Sequence, residues 1–499
     1  MGASDNEIGG DSTLGEGNVI SGNDLHGILI KDSDTNNNSV TGNLIGTDVN
    51  GTLALGNGEH GILITSSPTN TIGGTATGET NVISGNAGDG IVIEGGDSSD
   101  TIVHGNHIGT NLAGITDIAN GGDGIFIDSN ASNISIGGSA ANQGNLISGN
   151  TSFGISTENT VGLKIQGNQI GTDLPGVNAI ANSGGISLGV NTTSTTIGVG
   201  MGDTSQAGNV ISGNDLDGIL VDTDATNNLI FGNLIGLSLG GMAALGNSGH
   251  GVIINGSNTV VGGSNANQRN FIGANSGNGI LVAGTGTGSR ILGNSIGITT
   301  AGNSAGNTEH GIAIDSSGNT IGGTLPGDRN TIANNLLDGI AVPSNVQDNT
   351  FLGNQIYANQ GLAIDLEDNG VSLNDNNLDL DTGANGLQNF PVINQAVLVG
   401  ATTIHVEGRL GSTPNSSFRI EVFVNSSADS SGHGEAEEFL GAFTITTDAN
   451  GVAIFSESVS GVANPGVGDY VSATATVETT SGFGPTSCLL YTSPSPRDS

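Results

Sequence analysis

The sequence predicts an all-β protein in which a parallel β-helix of about 11–12 coils precedes a small antiparallel β-sandwich. Three observations support this fold class. Glycine accounts for 88 of the 499 residues, about 18% against an average near 7%. Short apolar runs recur at a fixed spacing through residues 1–364, and both composition and pattern change after Ile364.

The recurring element is a pair of interleaved asparagine motifs. Copies of Asn-Val-Ile-Ser-Gly-Asn and its variants begin at Asn18, Asn81, Asn145, Asn209, Asn270 and Asn330. A Gly-Asn-x-Ile series has its asparagine at Asn43, Asn106, Asn168, Asn233, Asn294 and Asn354. Successive motifs are separated alternately by 23–25 and by 36–41 residues. The sequence is therefore periodic over most of its length.

Each interval contains three short runs with the residue preferences of β-strands. In Gly27-Ile28-Leu29-Ile30 the apolar residues alternate, which indicates a strand with one buried face. Gly, Asn, Asp and Ser separate the runs and suit the tight corners between them. Three strands in 23–25 residues correspond to one coil of a parallel β-helix, and the longer intervals add a surface loop such as residues 46–51. The paired turns of a barrel or propeller are missing from the pattern.

The repeated asparagines predict ladders inside the coils. Identical residues at one corner stack, so each amide can donate to one neighbouring coil and accept from the other. This pairing satisfies a buried amide. Stacked isoleucines supply the remaining stability, at about 1.5–3 kcal/mol for each fully buried side chain.

These coils resemble bacterial right-handed parallel β-helix repeat proteins, in the superfamily of pectate lyases, polygalacturonases and NosD-like periplasmic proteins. The resemblance covers about residues 1–364 and implies a right-handed helix. That superfamily contains polysaccharide enzymes, adhesins and scaffolds, so the resemblance leaves the activity open. Polygalacturonases carry clustered aspartates, a Gly-His-Gly and an Arg-Ile-Lys-type segment. Gly249-His250-Gly251 is present here, but no Arg-Ile-Lys follows it.

We predict four segments. Residues 1–364 form the β-helix, which begins inside a repeat, so we expect a truncated amino terminus. Residues 365–390 form an acidic linker, and residues 391–487 an immunoglobulin-like sandwich whose strands begin near Thr403, Ser417, Phe439, Val452 and Tyr470. A hairpin turn is predicted at 448–451. Residues 488–499 resemble translated sequencing-adapter read-through and are predicted to be a non-native tail.

Composition excludes several functions. With 8 basic and 46 acidic residues the net charge is −38, which disfavours a nucleic-acid partner. No apolar run of about 20 residues is present, so we expect no membrane span. Cys488 lies in the predicted tail, so we expect no disulfide. We expect an extracellular or cell-surface protein whose signal peptide was lost with the missing amino terminus.

The residue before the coil glycine gives the best candidate for a lateral site. Where this residue is charged it is His or Asp, and the row comprises His26, His60, Asp89, Asp123, Asp217, His250, His310 and Asp338. If the register holds, these side chains form a stripe that could bind a cation or a glycan. The alternative is a polar corner that only needs hydration. Stacked carboxylates at Asp89 and Asp123 would repel one another unless a cation or water lay between them.

The linker supplies the densest group of acids. They are Asp365, Glu367, Asp368, Asp375, Asp379 and Asp381. Flexible, oxygen-rich loops suit Ca²⁺, and a structural Ca²⁺ is the only cofactor that the sequence suggests. The segment 365–370 begins like a calcium loop, but Asn376 stands where the twelfth-position Glu would be. A solvated linker without an ion is the alternative.

Two functional classes remain after these considerations. The preferred one is a non-catalytic extracellular scaffold or adhesin, with polysaccharide or cell-surface components as partners. The alternative is a polysaccharide lyase or hydrolase, for which acids such as Asp48, Asp123 and Asp173 would have to converge. The basic residues Lys164, Arg269, Arg290 and Arg329 occupy repeat positions and are expected to point outward into solvent.

Overall fold

A computed structural model describes residues 2–199, 208–428, 431–461, 463, 465–466, 468–491 and 497–498. Residues 492–496 and 499 of the predicted non-native tail lie outside the described residues. The chain divides into two compact units, residues 1–277 with 299–303 and residues 278–298 with 304–499. Each unit is described by itself below.

The first unit consists of coils in which every strand pairs in parallel with the equivalent strand of the next coil. The first sheet contains Glu7–Gly9, Ser39–Thr41, Thr71–Ile72, Ile102–Val103, Ser135–Gly137, Lys164–Gln166, Thr196–Gly198, Leu229–Phe231 and Val260–Val261. The second contains Val19–Ile20, Leu44–Ile45, Val82–Ile83, His107–Ile108, Leu146–Ile147, Gln169–Ile170, Val210–Ile211, Leu234–Ile235 and Phe271–Ile272. The third contains Ile28–Lys31, Ile62–Thr65, Ile91–Glu94, Ile125–Asp128, Phe153–Thr157, Gly184–Leu188, Ile219–Val221 and Val252–Ile254.

The interior of these coils is built from stacked isoleucines. In the second sheet His107 pairs with Leu146 and Ile108 with Ile147, so the register places isoleucine on isoleucine. Ile108 and Ile147 are fully buried. The corners require glycine: Gly109 has φ of 86°, and a Cβ there would lie 2.4 Å from the Ser148 carbonyl oxygen. Apolar alternation and glycine corners together fix the coil.

The second unit begins with coils of the same three-strand pattern. Its three parallel sets are Arg290–Ile291, Thr320–Gly322 and Thr350–Leu352; Ser295–Ile296, Thr331–Ala333 and Gln355–Tyr357; and Ile280–Val282, Ile312–Ile314, Ile340–Pro343 and Ile364–Glu367. Four short 3₁₀ helices are described across the two units, at Ser12–Leu14, Ala266–Gln268, Pro326–Asp328 and Ala384–Leu387. Among the described residues, no helix combines the length and the apolar character needed to cross a membrane.

Two antiparallel sheets complete the second unit. One contains Val392–Gly400, Thr403–Gly411 and Val452–Ser460, with Arg497–Asp498 added in parallel at its edge. The other contains Ser417–Asn425, Glu438–Thr446, Tyr470–Thr479, Gly482–Thr486 and Leu490–Tyr491. Side chains of both sheets, including Ile404 and Phe418, form one apolar core. The predicted fold class, a right-handed parallel β-helix followed by a small β-sandwich, is confirmed.

The hairpin prediction at 448–451 is wrong. The turn exists, and Asp448 Oδ1 accepts from the backbone nitrogens of Asn450 at 2.8 Å and Val452 at 3.0 Å. However, the strand before it pairs with Ser417–Asn425 and the strand after it pairs with Thr403–Gly411. The turn therefore carries the chain from one sheet of the sandwich to the other. Its residues specify the tight turn, while packing between the sheets decides the pairing.

The sandwich contacts the last coils of its own unit through specific polar groups. The Gly353 backbone nitrogen donates to Glu421 Oε2 at 2.7 Å, and the Phe351 nitrogen donates to Thr486 Oγ1 at 2.9 Å. The Arg329 guanidinium lies 4.0 Å from the centre of the Phe439 ring. Arg329 is thus packed against an aromatic face, and the expectation that it simply points into solvent is wrong.

Candidate functional site

The corner row of His and Asp residues forms continuous contacts in the first unit. The imidazoles of His26 and His60 stack with their centres 5.3 Å apart. Glu59 lies 3.1 Å from His26 Nε2, and Asp89 Oδ2 lies 3.1 Å from His60 Nδ1. The hydrogen bond that the imidazole donates to the Asp89 carboxylate raises the pKa of His60 above its usual value, although burial opposes this. The predicted register is therefore correct for these residues.

Stacked carboxylates in this row bind backbone of the following coil. The Asp123 nitrogen donates to Asp89 Oδ1 at 2.6 Å, and the Phe153 nitrogen donates to Asp123 Oδ1 at 2.8 Å. The His250 nitrogen likewise donates to Asp217 Oδ1 at 2.7 Å. Each of these aspartates thus accepts from the next coil, which offsets the expected repulsion between Asp89 and Asp123 without a cation. This supports a structural role for the row in the first unit.

In the second unit the row meets two acids of the linker. His310 Nδ1 lies 3.1 Å from Asp338 Oδ2, and His310 Nε2 lies 3.6 Å from Asp368 Oδ1. Burial lowers the pKa of His310, but the hydrogen bond and charge of Asp338, with the charges of Asp368 and Glu309, raise it above its usual value overall. Asp365 is 4% exposed. Burial and the charges of Asp338 and Asp368 raise its pKa to about 6.

The other linker acids are divided between two places. Oxygen atoms of Asp375, Asp379 and Asp381 lie within 4.8 Å of one another. Asp379 accepts from Ser412 Oγ and from Gln388 Nε2, and burial raises its pKa to about 6. Burial, with the charges of Asp375 and Glu367, raises the pKa of Asp381, and Glu367 accepts from Asn369 Nδ2 at 3.3 Å. The six predicted calcium ligands therefore do not form one site, since Asp375, Asp379 and Asp381 lie together and Asp368 lies beside His310.

The aspartates that a hydrolase would need accept hydrogen bonds from the backbone of the loops in which they lie. Asp48 Oδ1 accepts from the backbone nitrogens of Thr52 and Leu53 at 2.7 and 2.9 Å. Asp173 Oδ1 accepts from the Val177 nitrogen at 2.9 Å. Backbone hydrogen bonds lower the pKa of Asp48. Burial raises the pKa of Asp173, but hydrogen bonds from the Asn178 side chain and from nearby backbone nitrogens lower it overall. Carboxylates held in this way are ionised hydrogen-bond acceptors, which are poor general acids.

The structure also contains a groove that the sequence analysis missed. Two cavities lie over the outer face of the second sheet in the first unit, with volumes of about 490 Å³ and about 460 Å³. The first is lined by Gly74, Thr75, Ala76, Thr77, Gly78, Thr80, Gly105, His107, Asn142, Gly144, Asn145, Leu146, Gly167, Gln169 and Leu174. The second is lined by Gly208, Val210, Gly232, Leu234, Leu239, Gly240, Ala266, Asn267, Arg269, Phe271 and Thr300.

Two series of loops form the walls of this groove. One series follows strands of the first sheet, as at residues 73–80 and 262–269, and the other follows strands of the second sheet. The second series is joined by backbone hydrogen bonds: Leu174 N donates to Gly114 O at 2.8 Å, and Leu239 N donates to Gly176 O at 2.8 Å. In the sequence, the asparagine motifs are separated alternately by 23–25 and by 36–41 residues, and the longer intervals indicated these loops.

The lining of the groove is polar but poor in charge. Among the described residues that line the two cavities, none is Asp or Glu, and Arg269 is the only Lys or Arg. His107 is the only histidine among them, and burial lowers its pKa, which favours the neutral imidazole. Gln169 Nε2 donates to the carbonyl oxygens of Asp173 and Leu174, both at 3.1 Å. This lining offers hydrogen bonds and apolar surface, without a paired acid and base.

Comparison with known proteins gave structural likenesses. No family model and no curated protein matches the chain. Among solved structures, the periplasmic alginate epimerase AlgG T265N mutant is 13% identical, with 67% of this chain and 71% of that chain covered and a TM-score of 0.33. The enzymatically active domain of bacteriophage CBA120 tailspike protein 2 is 11% identical, with 97% and 73% covered and a TM-score of 0.32. The Azotobacter vinelandii mannuronan C-5 epimerase AlgE6 A-module is 15% identical, with 66% and 87% covered and a TM-score of 0.33. Identities and TM-scores of this size decide nothing about the activity of this chain.

Proposed function

We propose that this protein is a non-catalytic extracellular scaffold that binds a neutral, linear polysaccharide along the outer face of the second sheet. The observation that carries the proposal is the groove itself. Its two cavities lie over one continuous parallel sheet and are lined by glycine, hydroxyl and amide groups with a few apolar side chains. Such a lining suits sugar hydroxyls and the apolar faces of sugar rings.

The periodicity of the groove favours a polymer as ligand. Outward side chains of the sheet succeed one another from His107 through Leu146, Gln169, Val210 and Leu234 to Phe271. At a strand spacing of about 4.8 Å this floor extends about 24 Å. A repeating ligand can use equivalent groups at successive positions, whereas a small metabolite would use one cavity.

The charge of the chain favours a neutral polymer. With a net charge of −38, the surface field repels polyuronates and other anionic chains. Arg269 is the one cationic residue among the described groove residues, and one cation does not offset that field. The same residues lack the two carboxylates that a typical glycosidase places about the scissile bond.

The test compares two partly buried phenylalanines on different faces. Phe271 lies in the groove, and Phe126 lies on the outer face of the third sheet, paired with Val92 and Ser156. We expect Phe271→Ala to weaken retention on a panel of neutral insoluble polysaccharides at least about tenfold, as the loss of a central aromatic contact does. Phe126→Ala should leave retention unchanged.

Three results would contradict the proposal. Equal retention of both variants would place binding outside the groove. Stronger retention on polyuronates than on neutral polymers would contradict the charge argument. Release of reducing ends or unsaturated products during long incubation would identify an enzyme, which was the alternative left open by the sequence.

A further inference from the structure

The walls of the groove in the first unit repeat at a longer interval than its floor. Every coil contributes one strand to the floor, whereas the described loops of each wall are separated by two coils or by a multiple of two. Loops of the first series precede the strands Val19–Ile20, Val82–Ile83, Leu146–Ile147 and Phe271–Ile272. Loops of the second series follow strands of the intervening coils, at Leu44–Ile45, His107–Ile108, Gln169–Ile170 and Leu234–Ile235. The described loops thus alternate between the two walls from coil to coil.

Hydrogen bonds join the loops within each wall. In the first series Ser12 N donates to Gly78 O at 3.0 Å, and Asn142 Nδ2 donates to Thr75 O at 3.2 Å. The second series is joined by the backbone hydrogen bonds given above. At a strand spacing of about 4.8 Å, equivalent groups on one wall therefore recur about every 9.6 Å.

One position in the second series of loops carries leucine in three successive loops. Leu112, Leu174 and Leu239 each donate their backbone nitrogen to the preceding loop, and they are 49%, 43% and 49% exposed. Leu174 and Leu239 line the two cavities. A continuous row of exposed apolar side chains beside a groove is typical of a binding surface. This wall therefore offers an apolar contact once every two coils.

An extended β-1,4-linked polysaccharide has the same two repeats as the groove. When its linkages are equatorial, each sugar advances the chain by roughly one strand spacing and is turned by half a turn from the sugar before it. Each edge of this ribbon presents a hydroxymethyl group on every second sugar, while the ring faces recur at every sugar. The floor would then meet one ring on each coil, and each wall would meet an equivalent sugar edge on every second coil.

We propose that the ligand of the groove is a neutral β-1,4-linked polysaccharide that lies along it as a two-fold ribbon, with one sugar over each coil. This inference rests on the polysaccharide-binding function proposed above and names the linkage of the ligand. The alternation of the two walls is the observation that supports it.

The floor is suited to the faces of such a ribbon. Its six positions from His107 to Phe271 provide room for six sugars. Four of these positions are apolar, which suits the C–H groups on the faces of sugar rings, and they are Leu146, Val210, Leu234 and Phe271. Chains with α-1,4 or β-1,3 linkages coil or curve, because successive sugars turn in the same sense. Such chains do not keep one ring over each strand of a regular sheet.

The test is calorimetric titration of the full chain with hexasaccharides that differ in linkage. Three are β-1,4-linked chains of glucose, mannose or N-acetylglucosamine. Two are glucose chains with α-1,4 or β-1,3 linkages, so that linkage changes while the sugar stays the same. We expect at least one β-1,4-linked hexamer to bind at least about tenfold more tightly than both of these glucose chains.

Leu239→Ala tests the contribution of the wall. We expect it to weaken binding of the preferred hexamer at least about threefold, because an exposed apolar contact is lost while the fold is kept. Leu216→Ala is the matched control, since Leu216 is 51% exposed against 49% for Leu239 and lies outside the described lining of both cavities. The control should leave the affinity unchanged.

Two results would overturn the inference. The first is that no β-1,4-linked hexamer binds more tightly than both the α-1,4-linked and the β-1,3-linked glucose chains, which includes the case in which no hexamer binds. The second is equal affinity of Leu239→Ala and Leu216→Ala for the preferred hexamer. The retention assay with Phe271→Ala decides the proposed function separately, because a loss of retention there preserves a polysaccharide-binding groove whatever the linkage of its ligand.

Discussion

The coils of the first unit and the sandwich of the second unit bury polar side chains in different ways. In the coils, Asn145 Oδ1 accepts from the backbone and side-chain nitrogens of Asn106, both at 3.0 Å, while its Nδ2 donates to Asn168 Oδ1 and to Val103 O at 2.9 Å. In the sandwich, the buried Glu421 accepts from Arg419 Nε at 2.9 Å and from Gly353 N at 2.7 Å. In the coils, a buried amide is satisfied by the equivalent amide of the neighbouring coil. In the sandwich, the buried carboxylate depends on one arginine and one backbone nitrogen.

This difference concerns how stability is distributed. A ladder repeats one modest interaction many times, so each member depends on its immediate neighbours. A single buried charge concentrates its stabilisation in a few contacts, and loss of any one leaves an unpaired group. Substitutions should therefore have local effects in the coils and effects on the whole module in the sandwich.

The largest effect is expected for Glu421→Ala. Removing the carboxylate leaves Arg419 and the Gly353 nitrogen without their acceptor, which should lower the free energy of unfolding by about 3–5 kcal/mol. Chemical denaturation monitored in the sandwich measures this change. Glu457→Ala, on an exposed position of the same module, should change it by no more than about 0.5 kcal/mol. Similar losses in both variants would show that Glu421 has no special role.

A somewhat smaller and more local effect is expected for Asn145→Ala. The substitution leaves the backbone nitrogen of Asn106 without an acceptor in a buried site, at about 1–3 kcal/mol. Asn106 Nδ2 still donates to Ile72 O and His104 O. Hydrogen exchange should increase in the strands His107–Ile108 and Gln169–Ile170 and remain unchanged in coils further along the unit. Asn50→Ala, at an exposed loop position, is the control. Loss of protection throughout the unit would contradict the local character assigned to the ladder.

The smallest effect concerns pH. Burial raises the pKa values of Asp365 and Asp379 to about 6 from an ordinary value of 3.8, so the folded chain binds these protons more tightly than the unfolded chain. Their contribution to stability is therefore present below about pH 4 and is lost as the pH rises to about 6. In EDTA, Tm should fall over this range, and less so in Asp365→Asn combined with Asp379→Asn. Parallel curves for wild type and variant would show that these two groups do not contribute.

Much of the fold could be predicted because the repeat acts locally. The Gly-Asn-x-Ile series specified a corner, an amide and a buried strand together, and the ladder predicted at Asn43, Asn106 and Asn145 is confirmed. A second ladder, including Asn57, Asn86 and Asn120, was missed. Its signal was the asparagine that ends each Asn-Val-Ile-Ser-Gly-Asn copy, as at Asn86, together with the asparagine that ends each long loop, as at Asn57 and Asn120.

The candidate site was harder to predict because its parts come from distant segments. The corner row around His60 and Asp89 was visible as a register, yet the sequence did not show that Asp89 and Asp123 would bind backbone of the following coil. Nor could the density of linker acids show that Asp368 lies beside His310 while Asp379 lies beside Ser412. The spacing of residues in the sequence does not show which coil the linker residues contact.

By itself the sequence determined the coil, its corners and its ladder. These follow from interactions between adjacent repeats, which a period of 60–65 residues encodes directly. Only the tertiary structure decided that the 448–451 turn crosses between sheets, that loops enclose a groove over the second sheet, and that Asp338 and Asp368 lie beside His310. These depend on packing between segments with no common period, where local preference leaves several arrangements open.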